Sequence, residues 1–364
     1  MEWKNYCRFL VENDMLNSVT VIIPAYKPGH ELLDTIDGLN KAGFADILVV
    51  DDGSGEAFAK LFEEVRNIPE CTLLRHDVNR GKGAALKTAF SYYLQNRKNA
   101  VGVVTADADG QHLPCDIRAV AERMAACQNT VLGVRDFSDP AVPPRSKSGN
   151  RITRAMFRIF LGMRITDTQT GLRAFPTHAL PVIASAAGDR YEFETNMLFL
   201  MNQCGLSMEE VKISTVYIDD NSSSHFRVVR DSLRIYALFI KYLFSFLLSA
   251  VLFCLLSSVF VDAGIWQVFP LPEMLSSGIA GGVVASLVHY FINAAAVFDS
   301  SIRVRTFGKY LLLAAAQVIL TAVLFYLIQG LPAVLYVLIK SIAWVLFFFI
   351  HFRLQHKWAF RPVV

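Results

Sequence analysis

The sequence predicts an α/β domain with a mostly parallel, doubly wound sheet, followed by an all-α membrane domain of four helices. Apolar, β-branched runs alternate with helical stretches in the first part of the chain, a pattern typical of buried parallel strands. Four apolar segments of about 20 residues, the length that crosses a bilayer, follow position 234. The 364-residue chain is 53% hydrophobic with a mean hydropathy of +0.37, which is too apolar for an ordinary soluble protein.

Charge and cysteine content exclude several classes of protein. The net charge is only +3, so nothing in the overall charge indicates nucleic-acid binding. The six cysteines form no CxxC pair, so we predict neither a disulfide framework nor a zinc site, and a reducing compartment fits. Residues 1–18 are too polar for a secretory signal, and we interpret them as an N-terminal extension.

The first domain is assigned to residues 19–234, and its strands start with the apolar runs 19–24, 46–50 and 101–105. Helical stretches at 30–42 and 82–97 lie between these runs. Ligands of such sheets bind at the carboxyl ends of the strands, so the polar residues that follow each run are candidate binding residues.

Three of these strand ends or loops are typical of nucleotide binding. Pro24-Ala25-Tyr26 follows the first run, and Asp51-Asp52-Gly53-Ser54 follows the second. Asn79-Arg80-Gly81-Lys82-Gly83 opens a helix, whose N-terminus favours an anion, and Lys82 adds a positive charge. Each pattern alone is also that of an ordinary turn, and the GxxxxGK[ST] phosphate loop is absent.

The loop after the third run, Asp107-Ala108-Asp109-Gly110-Gln111-His112, is the strongest chemical signal. Alternate carboxylates flank a small residue, so two acids are directed to one place. Carboxylate and amide oxygens bind hard divalent cations together with substrate phosphates. A departing nucleoside diphosphate needs that charge neutralisation.

A basic amphipathic helix is predicted at about 151–164, where apolar residues alternate with Arg151, Arg154, Arg158 and Arg164. Such a helix is typical of an anionic membrane surface. The alternative is a core-facing helix with a solvated basic face.

The membrane domain is assigned to residues 235–364, with helices at about 237–260, 275–298, 309–329 and 332–352. Lys and Arg flank the segments in alternate linkers, so the positive-inside rule places the first domain and both termini in the cytoplasm. We expect an integral protein of a prokaryotic plasma membrane.

Two features of the membrane domain suggest more than an anchor. The stretch 289–298 aligns with 351–360, which indicates two duplicated helical hairpins. Lys340 lies well inside the fourth helix, where a charge is costly and a functional role or pairing is expected. A flippase role and homo-oligomerisation both remain open.

Seven motifs occur in order between residues 24 and 194: PAY, VDDGS, NRGKG, DADGQH, GVR, DTQTGLRAF and YEFE. This series resembles the family 2 glycosyltransferases with the Rossmann-like GT-A fold, in particular the dolichyl-phosphate mannose synthase-like or polyprenyl-phosphate branch. The QxxRW motif of processive polysaccharide synthases is absent. The membrane domain resembles the GtrA-like four-helix proteins.

The resemblance implies roles for individual residues in binding the donor. Pro24, Tyr26 and Asp52 would hold the nucleoside, and Asp107 would contact the nucleotide-sugar. Asp109 and Gln111 would hold Mg²⁺ or Mn²⁺.

Basic residues would hold the phosphate groups. Arg135 would reach the donor or acceptor phosphate, which makes Asp107, Asp109 and Arg135 the expected catalytic set. Arg145 and Arg151 are candidates for the acceptor phosphate. The sequence departs from the family at Lys27-Pro28, where an acid is common, and at Ser224-His225, where the family has Ser-Lys. An Arg that precedes this contact in the family is replaced near Asp219, and Arg227 or Arg230 could substitute for it.

These inferences predict an inverting, metal-dependent glycosyltransferase for cell-envelope glycan or glycoconjugate synthesis. It would move a sugar from a UDP- or GDP-linked donor to a polyprenyl phosphate of the undecaprenyl or dolichyl type. One alternative is transfer to another lipid acceptor, such as a glycerolipid hydroxyl, with Glu192 or Glu194 as the base. The other is a transport component that the first domain loads.

Overall fold

The computed structural model describes residues 16–97, 100–138, 142, 144–214, 228–264, 273–298, 303–328 and 330–361. The chain divides into two compact units. The first contains the described residues up to Arg158 together with Met163–Asp231, and the second contains Ile159–Gly162 and the described residues from Ser232 onward.

The first unit is built on a seven-stranded sheet in the order β3-β2-β1-β4-β6-β5-β7. Its strands are β1 (Val19–Ala25), β2 (Ile47–Asp51), β3 (Cys71–Arg75), β4 (Gly102–Thr105), β5 (Thr130–Arg135), β6 (Arg173–Pro176) and β7 (Met208–Ile213). Only β6 runs antiparallel to its neighbours, and all other described pairings are parallel. The prediction of a mostly parallel sheet is therefore confirmed.

Helices connect the strands, as the alternating pattern predicted. They are α1 (Glu31–Lys41), α2 (Ala59–Arg66), α3 (Lys82–Asn96), α4 (Pro114–Cys127), α5 (Pro144–Met156), α6 (Leu180–Ala184) and α7 (Glu192–Cys204). The apolar runs form the centre of the sheet, and the side chains of β2 and β4 are buried throughout. Burying these β-branched runs on both faces supplies the main driving force for folding of this unit.

The helix predicted at 151–164 starts and ends earlier than expected. It begins at Pro144 as α5 and continues as a π-helix over Phe157–Leu161. Proline is favoured in the first helical turn because its missing N–H has no intrahelical partner there. Gly162, with a φ of +70°, follows the last helical residue, so Arg164 lies outside the helix.

The second unit is helical. It contains α8 (Val228–Asp262), α9 (Glu273–Ile292), α10 (Val304–Ile328) and α11 (Ala333–Leu354). The four apolar segments of the sequence therefore all form helices. Within the described part of this unit, two stretches are long and apolar enough to cross a membrane, judged by length and composition: Phe239–Phe260 and Val334–Ala359.

The duplicated segments of the second unit share an unusual local structure. α9 and α11 each continue into a five-residue π-helix, at Asn293–Val297 and Gln355–Ala359. Equivalent residues, at a constant offset of 62, meet each other: Asn293 Nδ2 donates to Gln355 Oε1 at 2.8 Å, and the rings of Phe298 and Phe360 stack at 4.7 Å. Contacts between equivalent residues indicate a local two-fold relation between the two segments.

Candidate active site

The acidic loop lies directly after β4, at the carboxyl edge of the sheet. Hydrogen bonds from backbone N–H groups to side chains of the same loop hold its turn. The Asp107 N–H donates to His112 Nδ1 at 3.1 Å, and the Gln111 N–H donates to Asp109 Oδ1 at 3.1 Å. Gly110 has a φ of +75°, which only glycine adopts readily. The sequence prediction that two acids meet in one turn agrees with this geometry.

Lys82 links the acidic loop to a second carboxylate. Its Nζ lies 2.6 Å from Asp107 Oδ1 and 3.0 Å from Glu194 Oε1. Lys82 is the first residue of α3, and Glu194 lies in the first turn of α7. Three segments that are far apart in the sequence therefore meet around one ammonium group.

Burial and charge separate the pKa values of the two loop aspartates. Burial is the largest single effect on Asp107 and would raise its pKa, but the charge and hydrogen bond of Lys82, together with His112 and Arg135, outweigh it and lower that pKa to about 2. Burial and the charge of Asp107 raise the pKa of Asp109 to about 6. Burial opposes the charged form of Lys82, yet Asp107 and Glu194 raise its pKa on balance. Of the two loop aspartates, Asp109 is thus the one whose charge Lys82 neutralises less.

The two aspartates after β2 hold loops together. Asp51 accepts hydrogen bonds from Arg75 Nε at 2.8 Å and from the Ser54 N–H at 2.9 Å. The buried Asp52 accepts from the N–H groups of Arg80 and Gly81, at 2.9 and 2.7 Å.

His76 completes the surroundings of Asp52. Its Nδ1 lies 2.7 Å from Asp52 Oδ1, and its Nε2 lies 2.9 Å from Thr88 Oγ1. Both carboxylate oxygens of Asp52 therefore have partners within the chain, so its predicted contact with a nucleoside stays a prediction. The structure gives it a further role, which is to fix the NRGKG loop.

Pro24 and Tyr26 lie at the end of β1, next to the Asp-Gly-Ser loop. The Lys27 N–H donates to Ser54 Oγ at 2.8 Å, which ties the two loops together. Lys27 Nζ lies 5.3 Å from the centroid of the Tyr26 ring. Tyr26 is half-buried, and its predicted contact with a nucleoside stays a prediction.

The glycines of the NRGKG loop serve close packing within the chain. A Cβ at Gly81, whose φ is +107°, would overlap the backbone of Asp189. A Cβ at Gly83 would come 2.5 Å from Phe193 Cβ. The missing side chains of these two glycines therefore allow the segment before α7 to pack against the NRGKG loop.

Arg135, the last residue of β5, is held by the buried carboxylate of Asp167. Its Nε and terminal nitrogen donate to the two oxygens of Asp167, at 2.7 and 3.2 Å, a bidentate geometry that fixes the guanidinium. Its positive charge also helps to lower the pKa of Asp107, although less than Lys82 and His112 do.

Arg173, a buried arginine to which the sequence alone gave no role, binds two carbonyl oxygens next to the site. The Arg173 side chain donates to the carbonyl oxygens of Thr170 at 2.9 Å and of Glu194. Gly171 lies against the Asp107 carboxylate, with which an added Cβ would overlap. Arg173 belongs to the motif DTQTGLRAF. Its hydrogen-bond partners could not be predicted, because the neighbouring sequence does not indicate what a charged residue in a buried strand contacts.

The candidates for the acceptor phosphate are only partly described. Arg151 is exposed on α5, and the backbone of Arg145 lies in the same helix. The side chain of Arg145, and all of His225 and Arg227, lie outside the described residues, so their roles stay predictions.

The oxygen ligands of the acidic loop fit a divalent cation. Among the described residues no group of three or more His, Cys, Asp or Glu could hold a metal by itself. Mg²⁺ typically binds through one or two carboxylates plus substrate phosphates, and Asp109, with its raised pKa, offers such a carboxylate beside Gln111.

A mostly parallel sheet with carboxylates, a lysine and a helix N-terminus at its carboxyl edge is an arrangement typical of α/β proteins that bind nucleotides. Comparison with known proteins gives the family. The model of glycosyl transferase family 2 matches residues 20–182.

Named relatives extend this match. The UDP-N-acetylglucosamine–dolichyl-phosphate N-acetylglucosaminyltransferase of Methanococcus voltae is 30% identical over 223 residues, which cover 55% of this chain and 86% of that protein. The undecaprenyl-phosphate mannosyltransferase of Micrococcus luteus is 28% identical over 205 residues, which cover 54% and 83%. The chain therefore belongs to glycosyl transferase family 2, and it is a glycosyltransferase.

A solved structure has a similar but distant fold. Glucosyl-3-phosphoglycerate synthase from Mycobacterium tuberculosis, crystallised with Mn²⁺, uridine diphosphate and glucosyl-3-phosphoglycerate, is 14% identical. The match covers 60% of this chain and 76% of that one, with a TM-score of 0.46.

Proposed function

We propose that this enzyme transfers a sugar from a UDP- or GDP-linked donor to a polyprenyl phosphate, with inversion at the anomeric carbon and with Mg²⁺ or Mn²⁺ as cofactor. The observation that carries the proposal is the acidic loop, in which Lys82 neutralises Asp107 while Asp109 keeps a raised pKa. A bound cation at Asp109 and Gln111 would neutralise the charge that develops on the leaving nucleoside diphosphate.

The acceptor assignment is supported by the relatives and by the state of the carboxylates. Both relatives described above are named for transfer to a polyprenyl phosphate. A phosphate monoester has a second pKa of about 6 and is largely dianionic at neutral pH, so it attacks without losing a proton. Positioning and leaving-group stabilisation are then the enzyme's main tasks.

The hydroxyl-acceptor alternative needs a general base, and the two carboxylates that it would use are engaged. Glu194 pairs with Lys82. Glu192 Oε1 accepts the N–H groups of Asp189 and Arg190, both at 3.3 Å. The ion pair with Lys82 occupies the Glu194 carboxylate, which favours the phosphate acceptor.

The helical unit supports a location at the membrane. Along Phe239–Phe260 almost no residue is buried within the described chain, and exposed apolar side chains recur every four residues: Leu243, Leu247, Val251, Leu255 and Val259. A continuous exposed apolar stripe of this kind fits contact with lipid rather than water. The basic residues Arg151 and Arg154 are exposed on α5 beside Ile152, and Arg158 is exposed on the π-helix that follows, which suits anionic head groups.

The test is a donor screen with purified full-length protein in vesicles. UDP- and GDP-sugars would be offered with labelled polyprenyl phosphate or with diacylglycerol, with and without Mg²⁺ or Mn²⁺. We expect a β-linked lipid product from one α-linked donor, only with the phosphate acceptor and only with the cation. Transfer to diacylglycerol alone would contradict the acceptor assignment.

A further inference from the structure

We infer that Glu194 is a positioning residue, which fixes the Asp107 carboxylate through Lys82 for binding of the nucleotide. The identity of that ligand rests on the proposed function. Glu194 lies in the motif YEFE, to which sequence reasoning gave at most the role of a general base.

The first observation is a chain of short polar contacts across three segments. Glu194 Oε1 lies 3.0 Å from Lys82 Nζ, which in turn lies 2.6 Å from Asp107 Oδ1. All three side chains are at least two-thirds buried. Lys82 is thus held between two carboxylates, and its charge is directed to one oxygen of Asp107.

The second observation is that the chain of contacts closes into a ring. The Glu194 carbonyl oxygen accepts a hydrogen bond from Arg173, which also donates to the Thr170 carbonyl oxygen at 2.9 Å. The next residue, Gly171, lies against Asp107 Oδ2. The Asp107 carboxylate is therefore held at Oδ1 by Lys82 and packs so closely against Gly171 that no side chain fits between them.

The third observation is that this backbone is itself fixed. Thr105 Oγ1 donates to the Gly171 carbonyl oxygen at 2.8 Å, which joins the loop to the end of β4. A carboxylate confined in this way needs little reorganisation when a ligand binds, and preorganisation of this kind favours affinity. Removing the charge of Glu194 leaves Lys82 with Asp107 as its one carboxylate partner in the described site, and frees both to move.

The test measures nucleotide binding, which needs no acceptor. Binding of UDP and of GDP, each with Mg²⁺, is measured by calorimetry on the detergent-solubilised full chain. The variants are Glu194→Gln, which keeps the shape of the side chain, Lys82→Met, and the double variant. We expect Glu194→Gln to weaken binding about tenfold or more, and to have little further effect when Lys82 is already replaced.

The same helix offers a matched control pair. Lys87, also on α3, forms an ion pair with Asp189, in which Nζ lies 2.9 Å from Oδ1. This pair is more exposed to solvent than the Lys82–Glu194 pair. Lys87→Met and Asp189→Asn should leave nucleotide affinity unchanged. A thermal unfolding curve for each variant checks that the fold is retained.

Kinetics separate positioning from proton abstraction. A positioning role predicts that Glu194→Gln raises the donor KM while the KM for the acceptor stays the same. Wild-type nucleotide affinity combined with lost turnover in Glu194→Gln would identify Glu194 as a base and overturn the inference. If the wild-type protein binds neither nucleotide, the proposed function fails and the inference with it. If the wild-type protein binds nucleotide and Glu194→Gln binds it with the same affinity, the inference about Glu194 is wrong while the proposed function still stands.

Discussion

At the scale of single residues, the acidic loop could be predicted because its chemistry is local. Asp107, Asp109 and Gln111 follow one another after an apolar strand, and their order alone indicates a cation site. Their partners could not be predicted in the same way. Lys82 and Glu194 lie 25 and 87 positions away from Asp107 in the sequence, and only the fold brings them together.

Gly171 gives a prediction at this scale. Gly171→Ala places a methyl group against the Asp107 carboxylate, so Asp107 has to shift, and we expect transfer activity to fall about tenfold or more. The matched control is Gly149→Ala in α5, where an added Cβ meets only ordinary contacts near 4 Å. That variant should keep full activity and gain up to about 1 kcal/mol in stability. Unchanged activity in Gly171→Ala would show that this contact does not position Asp107.

At the scale of elements, strands were predictable where they are buried on both faces. The central runs β1, β2 and β4 are continuous and apolar. The edge strands β3 and β7 are half exposed, so CTLLR and MEEVKI lack a continuous apolar run. β6 is short and begins with the buried Arg173, a residue type that hydropathy places at the surface.

Arg173 gives a prediction for the element scale. Arg173→Met removes the hydrogen bonds that the buried guanidinium donates to the Thr170 and Glu194 carbonyl oxygens. We expect the free energy of unfolding to fall by about 3 kcal/mol, measured by chemical unfolding in detergent. Arg66→Met, which removes an exposed ion pair with Glu63, should cost less than about 1 kcal/mol. Equal losses for both variants would contradict a supporting role for Arg173.

The paired π-helices give a second prediction at this scale. Asn293→Leu leaves Gln355 Oε1 and His289 Nε2 without the amide that now contacts them. We expect a loss of about 1 kcal/mol in detergent, the magnitude typical of hydrogen bonds between membrane helices. In the Gln355→Leu background the same substitution should cost clearly less, because one partner is already absent. Strictly additive losses would argue against direct coupling of the two segments.

At the scale of the whole molecule, hydropathy predicted the division into an α/β unit and a helical unit. Hydropathy could not show that the aligned segments 289–298 and 351–360 contact each other, because any two apolar segments are similar in composition. Their common π-helices and the Asn293–Gln355 hydrogen bond are three-dimensional evidence. The membrane location itself can be tested with cysteines that the chain already contains.

Cys115 and Cys254 are both exposed among the described residues, but Cys254 lies within Phe239–Phe260. In vesicles, a charged maleimide should label a variant that retains only Cys115 and spare a variant that retains only Cys254, because a thiolate does not form in hydrocarbon. Detergent denaturation should make both react. Rapid labelling of Cys254 in intact vesicles would place that helix in water.

The most direct measurement of the central claim is cation-dependent sugar transfer to polyprenyl phosphate by the wild-type protein and by Asp109→Asn. Asp37→Asn, which changes an exposed carboxylate on α1, is the matched control. We predict that chelation abolishes the transfer activity of the wild-type and control proteins and that added Mg²⁺ or Mn²⁺ restores it. Asp109→Asn, although folded, should stay at least about 100-fold slower at any cation concentration. Wild-type rates from Asp109→Asn, or transfer that continues in excess chelator, would contradict it.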